Sequence, residues 1–452
     1  MKSINPATGE MISEYREHSA PEVEKILNDV HSTWKTWKDS SFDMRSELMK
    51  NAAHILRERK ENLSLLMTME MGKLLRESMA EIEKCALVCD FYANHAAEML
   101  ADELIASDAS RSFVTFQPLG VILAVMPWNF PFWQVFRFAA PAMMAGNAVA
   151  LKHASNVPGC AMAIEEIFYD AGFPQDLFRS LLIPSSKVEA VIANPKIIAA
   201  TLTGSEAAGS QVASTAGKHL KKMVLELGGA DPFIVLEDAD LESAVKTAVT
   251  ARMINQGQSC IAAKRFIVMS AISRQFESAL KSAFEALRIG DPLDPGTHVG
   301  PLSRPDLVDE IEQQVNASIA AGARLVTGGR RPDRIGCYYE PTILADVIKG
   351  MPVYSQETFG PVVSLITVQD EAEAILVAND SDFGLGGCVW TRDLQRGEEI
   401  ARKVDTGAMF VNGMTKSDPR LPFGGIKKSG YGRELASYGI KEFVNIKTIW
   451  IG

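Results

Sequence analysis

Between Pro21 and about Leu100 the apolar positions recur at helical spacing, in VEKILNDV, ELMKNAAHILRERKENLSLLM and EIEKCALVCDFYANHAAEML, which predicts three amphipathic helices. RSFVTFQPLG then alternates like an exposed strand or hairpin arm, and GVILAVMP is a continuous apolar run typical of a strand buried on both faces. Beyond it the period switches back and forth. VFRFAAPAMMAG reads as a helix, NAVALK as a strand, PGCAMAIEEIFYDAG as a helix, IIAATLTGS as a strand with a turn, EAAGSQVASTAG as a helix and KMVLEL as a strand. Repeated strand–helix units predict an α/β fold in which helices cover a parallel sheet and ligands bind at strand C-terminal ends. A second α/β series opens with DPFIVL and continues through LESAVKTAVTARMIN, RFIVM, RQFESALKSAFEALRIG, VDEIEQQVNASIAAGARLV, VVSLITV and GGCVW, so a domain boundary falls just after Glu226. The run VNIKTIWIG near the end predicts a strand with no evident partner nearby, a candidate for pairing with a neighbouring subunit.

Length fits this two-domain picture, since 452 residues exceed the usual single core. Apolar residues make up 47% and charged residues 23%, a globular balance. No stretch approaches the ~18 apolar residues of a membrane helix. MKSINPATGE lacks the basic start, apolar run and cleavage site of a secretory signal, so a cytoplasmic protein is expected. The net charge of −10 and the lack of any Lys/Arg run argue against a nucleic-acid partner. Cys85, Cys89, Cys160, Cys260, Cys337 and Cys388 show neither zinc-ribbon spacing nor disulfide-scaffold density, so they read as reduced thiols and no metal is expected. Cys85 and Cys89, one helical turn apart, read as helix packing.

The chemistry concentrates in two places. Cys260 closes NQGQSC after a Gly-containing turn that can hold an exposed nucleophile, and Glu226 ends a predicted strand in VLELGG. A thiolate attacks carbonyl carbon and a carboxylate activates the water that later releases product, which suits acyl chemistry through a thioester. Taken alone, an isolated Cys would be inert packing and the Glu a salt-bridged surface group. Asn129 in PWNFP would otherwise be a turn residue, but its amide can donate to the oxygen of a tetrahedral adduct, with the Cys260 N–H as second donor.

Six motifs, PWNFP, LTGS, VLELGG, GQSC, ETFGPV and PFGGIKKSG, occur in the order in which the aldehyde dehydrogenase superfamily carries them, and by this the chain resembles that family from INPATGE to the last strand. The resemblance implies two Rossmann-type α/β domains and a small β oligomerisation arm. Residues 1–104 and 120–226, with part of 427–438, would bind the cofactor; 227–426 would carry catalysis; 105–119 and 439–452 would form the arm. It also implies Cys260 as nucleophile, Glu226 as general base, and Asn129 with the Cys260 N–H as oxyanion hole. For NAD or NADP it implies Trp128, Lys152, His153, Ala154, Ser155, Gly204, Ser205, Leu227, Glu357 and Phe359. No GxGxxG is present, so the pyrophosphate falls to Gly204 and Ser205 at a helix N-terminus. Ser155 stands where NAD-preferring relatives often have Glu, which removes a repulsion from a 2′-phosphate and tilts the choice toward NADP.

Within the family the chain is most similar to short bacterial succinate-semialdehyde dehydrogenases. Arg137 and Ser417 match their carboxylate-binding residues, and an Arg fork suits that group. A second arginine common in those enzymes is Ile254 here, so the carboxylate would rely on Arg137, Ser417 and Lys416. Ala262 stands where some relatives carry a second cysteine, so no inhibitory disulfide is expected. Glu434 in YGREL matches an auxiliary proton-transfer position, with a structural ion pair as the alternative. Oxidation of glutarate semialdehyde or an uncharged aldehyde, thioester transfer to CoA, a cysteine hydrolase and a noncatalytic fold relative are the competing readings. A homodimer or homotetramer is expected, with the terminal strand against RSFVTFQPLG in assembly.

Overall fold

The computed structural model describes residues 1–452. The helical N-terminal stretch contains four helices where the pattern predicts three: Ala20–Trp37, Phe42–Glu58, Lys60–Met71 and Leu75–Met99. The second predicted helix bends at Arg59 (φ −96°, ψ 12°) and divides there. Hydrophobic spacing cannot register this bend, because Ile55 and Leu56 before it and Leu63 and Met67 after it pack into the same core.

These helices and those that follow cover a six-stranded sheet. Its order is Gly430–Tyr431, Lys222–Glu226, Ile197–Thr203, Val121–Met126, Ala148–His153, Phe178–Ser180. The last five are parallel, and only Gly430–Tyr431 runs antiparallel, against Lys222–Glu226. Val121–Leu123 and Ala148–Leu151 are fully buried, as continuous apolar strands covered on both faces must be. The order of the parallel strands reverses between Val121–Met126 and Ile197–Thr203, the switch point beside which such sheets open a crevice at their C-terminal ends.

A second, seven-stranded sheet runs Arg324–Thr327, Thr342–Ala345, Val362–Val368, Arg265–Met269, Pro232–Val235, Gly386–Trp390, Ala408–Val411. All but the edge strand Arg324–Thr327 are parallel. The run VDEIEQQVNASIAAGARLV therefore contributes two elements, the helix Pro305–Ala320 and that edge strand.

The strand Val444–Ile451 is not solitary. It pairs antiparallel with Arg111–Pro118 of the same chain along all eight of its residues, and Glu103–Leu104 adds a third strand. The expectation that it lacks a partner nearby fails because the partner, although adjacent in space, lies more than 300 residues earlier in sequence. Asn147 ties the arm to the first sheet by donating to the Phe443 carbonyl at 2.9 Å. No helix is long and apolar enough to cross a membrane.

Candidate active site

Four loops leave the C-terminal ends of the first sheet, and each carries a residue singled out above. Trp128 and Asn129 follow Val121–Met126, Ala154 and Ser155 follow Ala148–His153, Gly204 and Ser205 follow Ile197–Thr203, and Glu226 ends Lys222–Glu226. The second sheet meets them with its N-terminal side: Cys260 precedes Arg265–Met269, and Glu357 and Phe359 precede Val362–Val368. Between them lies a cavity of about 740 Å³ whose walls include Trp128, Asn129, Gly204, Ser205, Leu227, Cys260, Glu357 and Phe359. That size suits a cofactor or a drug-sized ligand. Trp128 and Phe359 meet edge-to-face at 5.8 Å, and Arg304 lies over the Trp128 ring.

The turn before Cys260 is set by backbone constraint. Asn255 (φ 51°), Gln256 (φ 56°) and Gly257 (φ 78°) are three consecutive left-handed residues, a conformation that costs free energy at the first two and persists only when neighbours over-determine it. At Gly257 a side chain is also excluded by space, since a Cβ would overlap the Gly360 carbonyl. Two buried cations supply the over-determination. Arg252 donates to the carbonyls of Ala263 (3.0 Å), Gly257 and Thr358 (2.9 Å each), and Gly360. Lys264 donates to those of Ser259 (3.1 Å), Cys260 (2.9 Å) and Ala262 (3.1 Å), and its ammonium lies 3.5 Å from Glu357. Neither cation stands out in sequence, because their partners are main-chain oxygens that no motif marks.

Asn129 is buried. Its amide nitrogen donates to the Gln258 carbonyl at 3.0 Å, and its own carbonyl accepts from Asn255 at 2.7 Å, which locks it beside the turn. The second amide hydrogen and the Cys260 N–H make no hydrogen bond in the protein, so both are free for a developing oxyanion. Desolvation pushes the Cys260 thiol up to about 12, while Arg137 and Lys264 pull it down.

The Glu226 carboxylate lies against Gly424, where a Cβ would come within 2.6 Å of Oε1. Both carboxylate oxygens are buried without a hydrogen-bond partner. Desolvation first, then the Glu434 charge, hold its pKa well above the ordinary value, against the pull of Arg137 and Arg433. Arg137, 2% exposed, forms an ion pair with Glu434, stacks over Phe423 at 4.5 Å, and leaves its Nη2 without a partner. The ion-pair alternative for Glu434 is thus what the fold contains. Ser417 is buried and accepts from the Lys84 ammonium at 2.6 Å, whereas Lys416 is exposed and touches no carboxylate. Lys84 is the cation that reaches Ser417 here.

On the cofactor side Lys152 is buried with no acidic partner, and desolvation lowers its pKa. His153 has Nδ1 3.2 Å from the Met126 carbonyl and Nε2 2.9 Å from that of Pro131, and burial pushes its pKa down to about 4. Its ring is a neutral brace with no free nitrogen to offer. Ala154 is half-buried and Ser155 exposed. The helix after Gly204 and Ser205 begins at Glu206, with Ser205 as its N-cap, its Oγ 3.4 Å from the Ala208 N–H. The Gly204 N–H is committed to the Glu226 carbonyl at 3.0 Å, so it cannot also serve an anion; the Ser205 N–H is free.

This arrangement of a clamped thiol, two free oxyanion donors and a long cavity is matched by comparison with known proteins. The model of the aldehyde dehydrogenase family matches residues 1–449. The chain belongs to the aldehyde dehydrogenase family. A probable NADP-dependent succinate-semialdehyde dehydrogenase of Synechocystis sp. is 55% identical over 99% of both chains. An NADP-dependent succinate-semialdehyde dehydrogenase of Mycobacterium leprae is 48% identical, again over 99% of each. The crystal structure of succinic semialdehyde dehydrogenase from Streptococcus pyogenes in complex with NADP+ superposes with a TM-score of 0.98 at 39% identity, covering 100% of this chain and 99% of that one. The two parallel sheets and the arm are thus the aldehyde dehydrogenase fold.

Proposed function

We propose that the protein is an NADP-preferring dehydrogenase that oxidises succinic semialdehyde to succinate. The observation that carries the chemistry is the Cys260 turn, which holds a thiol next to two unpartnered N–H donors at the mouth of the cavity. In the first step the Cys260 sulfur bonds to the aldehyde carbon as its proton passes to water, and the carbonyl π electrons move to oxygen, which Asn129 and the Cys260 N–H stabilise. When bound, the nicotinamide cofactor supplies an acceptor for the hydride that leaves the adduct carbon. Cys260 then carries a thioester. Glu226 takes a proton from water as the water oxygen bonds the acyl carbon, and the carbon–sulfur bond breaks to release the acid. Burial and the Glu434 charge raise its pKa, which makes the ionised carboxylate a stronger base.

Residues 1–104 and 120–226, with part of 427–438, serve as the cofactor domain and 227–426 as the catalytic domain. Lys152, a buried cation without an internal counter-charge, fits an anionic or hydroxyl-rich ligand, and Ser155 and Ser205 stand in loops at the same end of the sheet. Ser155 carries no charge to repel a 2′-phosphate, and the Synechocystis, mycobacterial and streptococcal relatives are named with NADP. Trp128, Leu227, Glu357 and Phe359 line the nicotinamide end. Substrate carboxylate goes to Arg137 and Ser417, a site supported by the unpartnered Arg137 Nη2.

The arm, residues 105–119 and 439–452, mediates a homodimer or homotetramer, which its exposed Ile446, Trp450 and Ile451 favour. Six free cysteines suit a reducing cytoplasm.

Initial rates with succinic semialdehyde and hexanal, each with NAD and NADP, test the assignment. A kcat/KM at least ~10-fold higher for the acid semialdehyde is expected, as a buried charged contact supplies. Equal rates on both aldehydes would leave only the general family activity.

A further inference from the structure

Resting on the carboxylated-substrate reading above, we infer that Lys84, on the helix Leu75–Met99, is a specificity-determining cation that with Arg137 and Ser417 completes the pocket for the substrate carboxylate. The Lys84 ammonium is 2.6 Å from Ser417 Oγ and 4.1 Å from the centre of the Trp133 ring, one helical residue into Trp133–Met144, the helix that bears Arg137. It has no acidic partner. The charged or titratable groups that face it are Arg137, Cys85, Glu81 and Asp418, and both acids are engaged elsewhere, Glu81 with Lys73 and Asp418 with Arg420.

Arg137 is faced by Glu434 and Glu226, whereas Lys84 beside it has no acid of its own. A desolvated ammonium without a counter-charge is costly unless an anion joins it. Burial and the neighbouring Arg137 lower Lys84 to about 8, which is the mark of an uncompensated ammonium. A carboxylate accepting from Lys84, Ser417 and the unpartnered Arg137 Nη2 would satisfy all three donors and neutralise the corner. Ile254 stands where relatives commonly carry the second arginine, so the second cation has to come from another element. Unlike Arg137, whose guanidinium is shared with Glu434, Lys84 has its charge free for substrate.

The test measures kcat and KM for succinic semialdehyde, glutarate semialdehyde and hexanal with the full-length enzyme, Lys84→Met and Lys84→Arg. Lys84→Met should lower kcat/KM for the acid semialdehyde about 10- to 100-fold more than for hexanal, mostly through KM, and Lys84→Arg should recover most of that difference. In the unsubstituted enzyme KM for the acid semialdehyde should rise above pH 8, as the ammonium loses its proton, and the hexanal KM should not follow. Wild-type selectivity for the acid that survives Lys84→Met overturns the Lys84 inference alone. A preference for glutarate semialdehyde that Lys84→Met abolishes supports the cation and removes the four-carbon assignment. No preference for either acid in the wild type, with equal losses on all three aldehydes in Lys84→Met, overturns both.

Discussion

The Cys260 turn and the Glu226 pocket lie on the two sides of one reaction, and they differ in what holds them. Around Cys260 two buried cations clamp the main chain: Arg252 and Lys264 bind seven main-chain carbonyls between them, and the left-handed residues Asn255 and Gln256 are held by that network. Around Glu226 the polar groups are buried and short of partners, with both Glu226 oxygens and the Arg137 Nη2 unsatisfied. The nucleophile is fixed in place. The base has no hydrogen bond to orient it and sits between the repulsion of Glu434 and the attraction of Arg137 and Arg433. A nucleophile that attacks a carbonyl bound next to it needs rigidity.

The comparison breaks most sharply at the sulfur. Cys260→Ala should reduce dehydrogenase turnover by ~10⁴-fold or more, the scale at which removal of a nucleophile disables a catalytic unit. Steady-state NADPH formation measures it. Glu226→Gln should reduce kcat by about 10²- to 10⁴-fold while leaving a burst of one reduced cofactor per active site, since only release of the thioester needs the base. Because burial raises the Glu226 pKa, the ionised fraction of the base still grows with pH above the ordinary carboxylate range, so kcat for the native enzyme should climb there and Glu226→Gln should flatten that climb. Stopped-flow absorbance at several pH values would show both effects. A third substitution tests the clamp by stability. Arg252→Met leaves four buried carbonyls short of a donor and should cost about 3 kcal/mol or more in denaturant unfolding. The smallest effect belongs to Lys416→Ala, which is exposed and should change KM for the acid semialdehyde by no more than about twofold. A larger change would return Lys416 to the carboxylate site.

What sequence could reveal follows the range of each interaction. Val121–Met126 and Ala148–His153 announce themselves as unbroken apolar runs, whereas Phe178–Ser180, Thr342–Ala345 and Ala408–Val411 have only three or four residues, too few to carry a period. Trp128, Asn129, Cys260, Glu357 and Phe359 stand in local motifs, and the fold gathers them around one cavity. Lys84 and Arg252 were invisible because what defines them is distant, a hydroxyl 333 positions away and a carbonyl 106 away, and Lys264 because its nearby partners are main-chain carbonyls that no motif marks. The direction of the Glu226 side chain was equally out of reach, because Gly424 and Glu434 arrive from the far end of the chain.

The two-residue strand Gly430–Tyr431 also sets an order of events during synthesis. It supplies the last neighbour of Lys222–Glu226, pairing Gly430 with Glu226 and Tyr431 with Leu225. Until the ribosome has delivered residue 430, the nascent first sheet has a bare edge beside the very strand that bears the base, and Arg111–Pro118 likewise awaits Val444–Ile451. Such unpaired edges invite pairing with other chains. The growing polypeptide therefore exposes two adhesive margins through the translation of its entire second domain, a long interval in which a chaperone has something to cover.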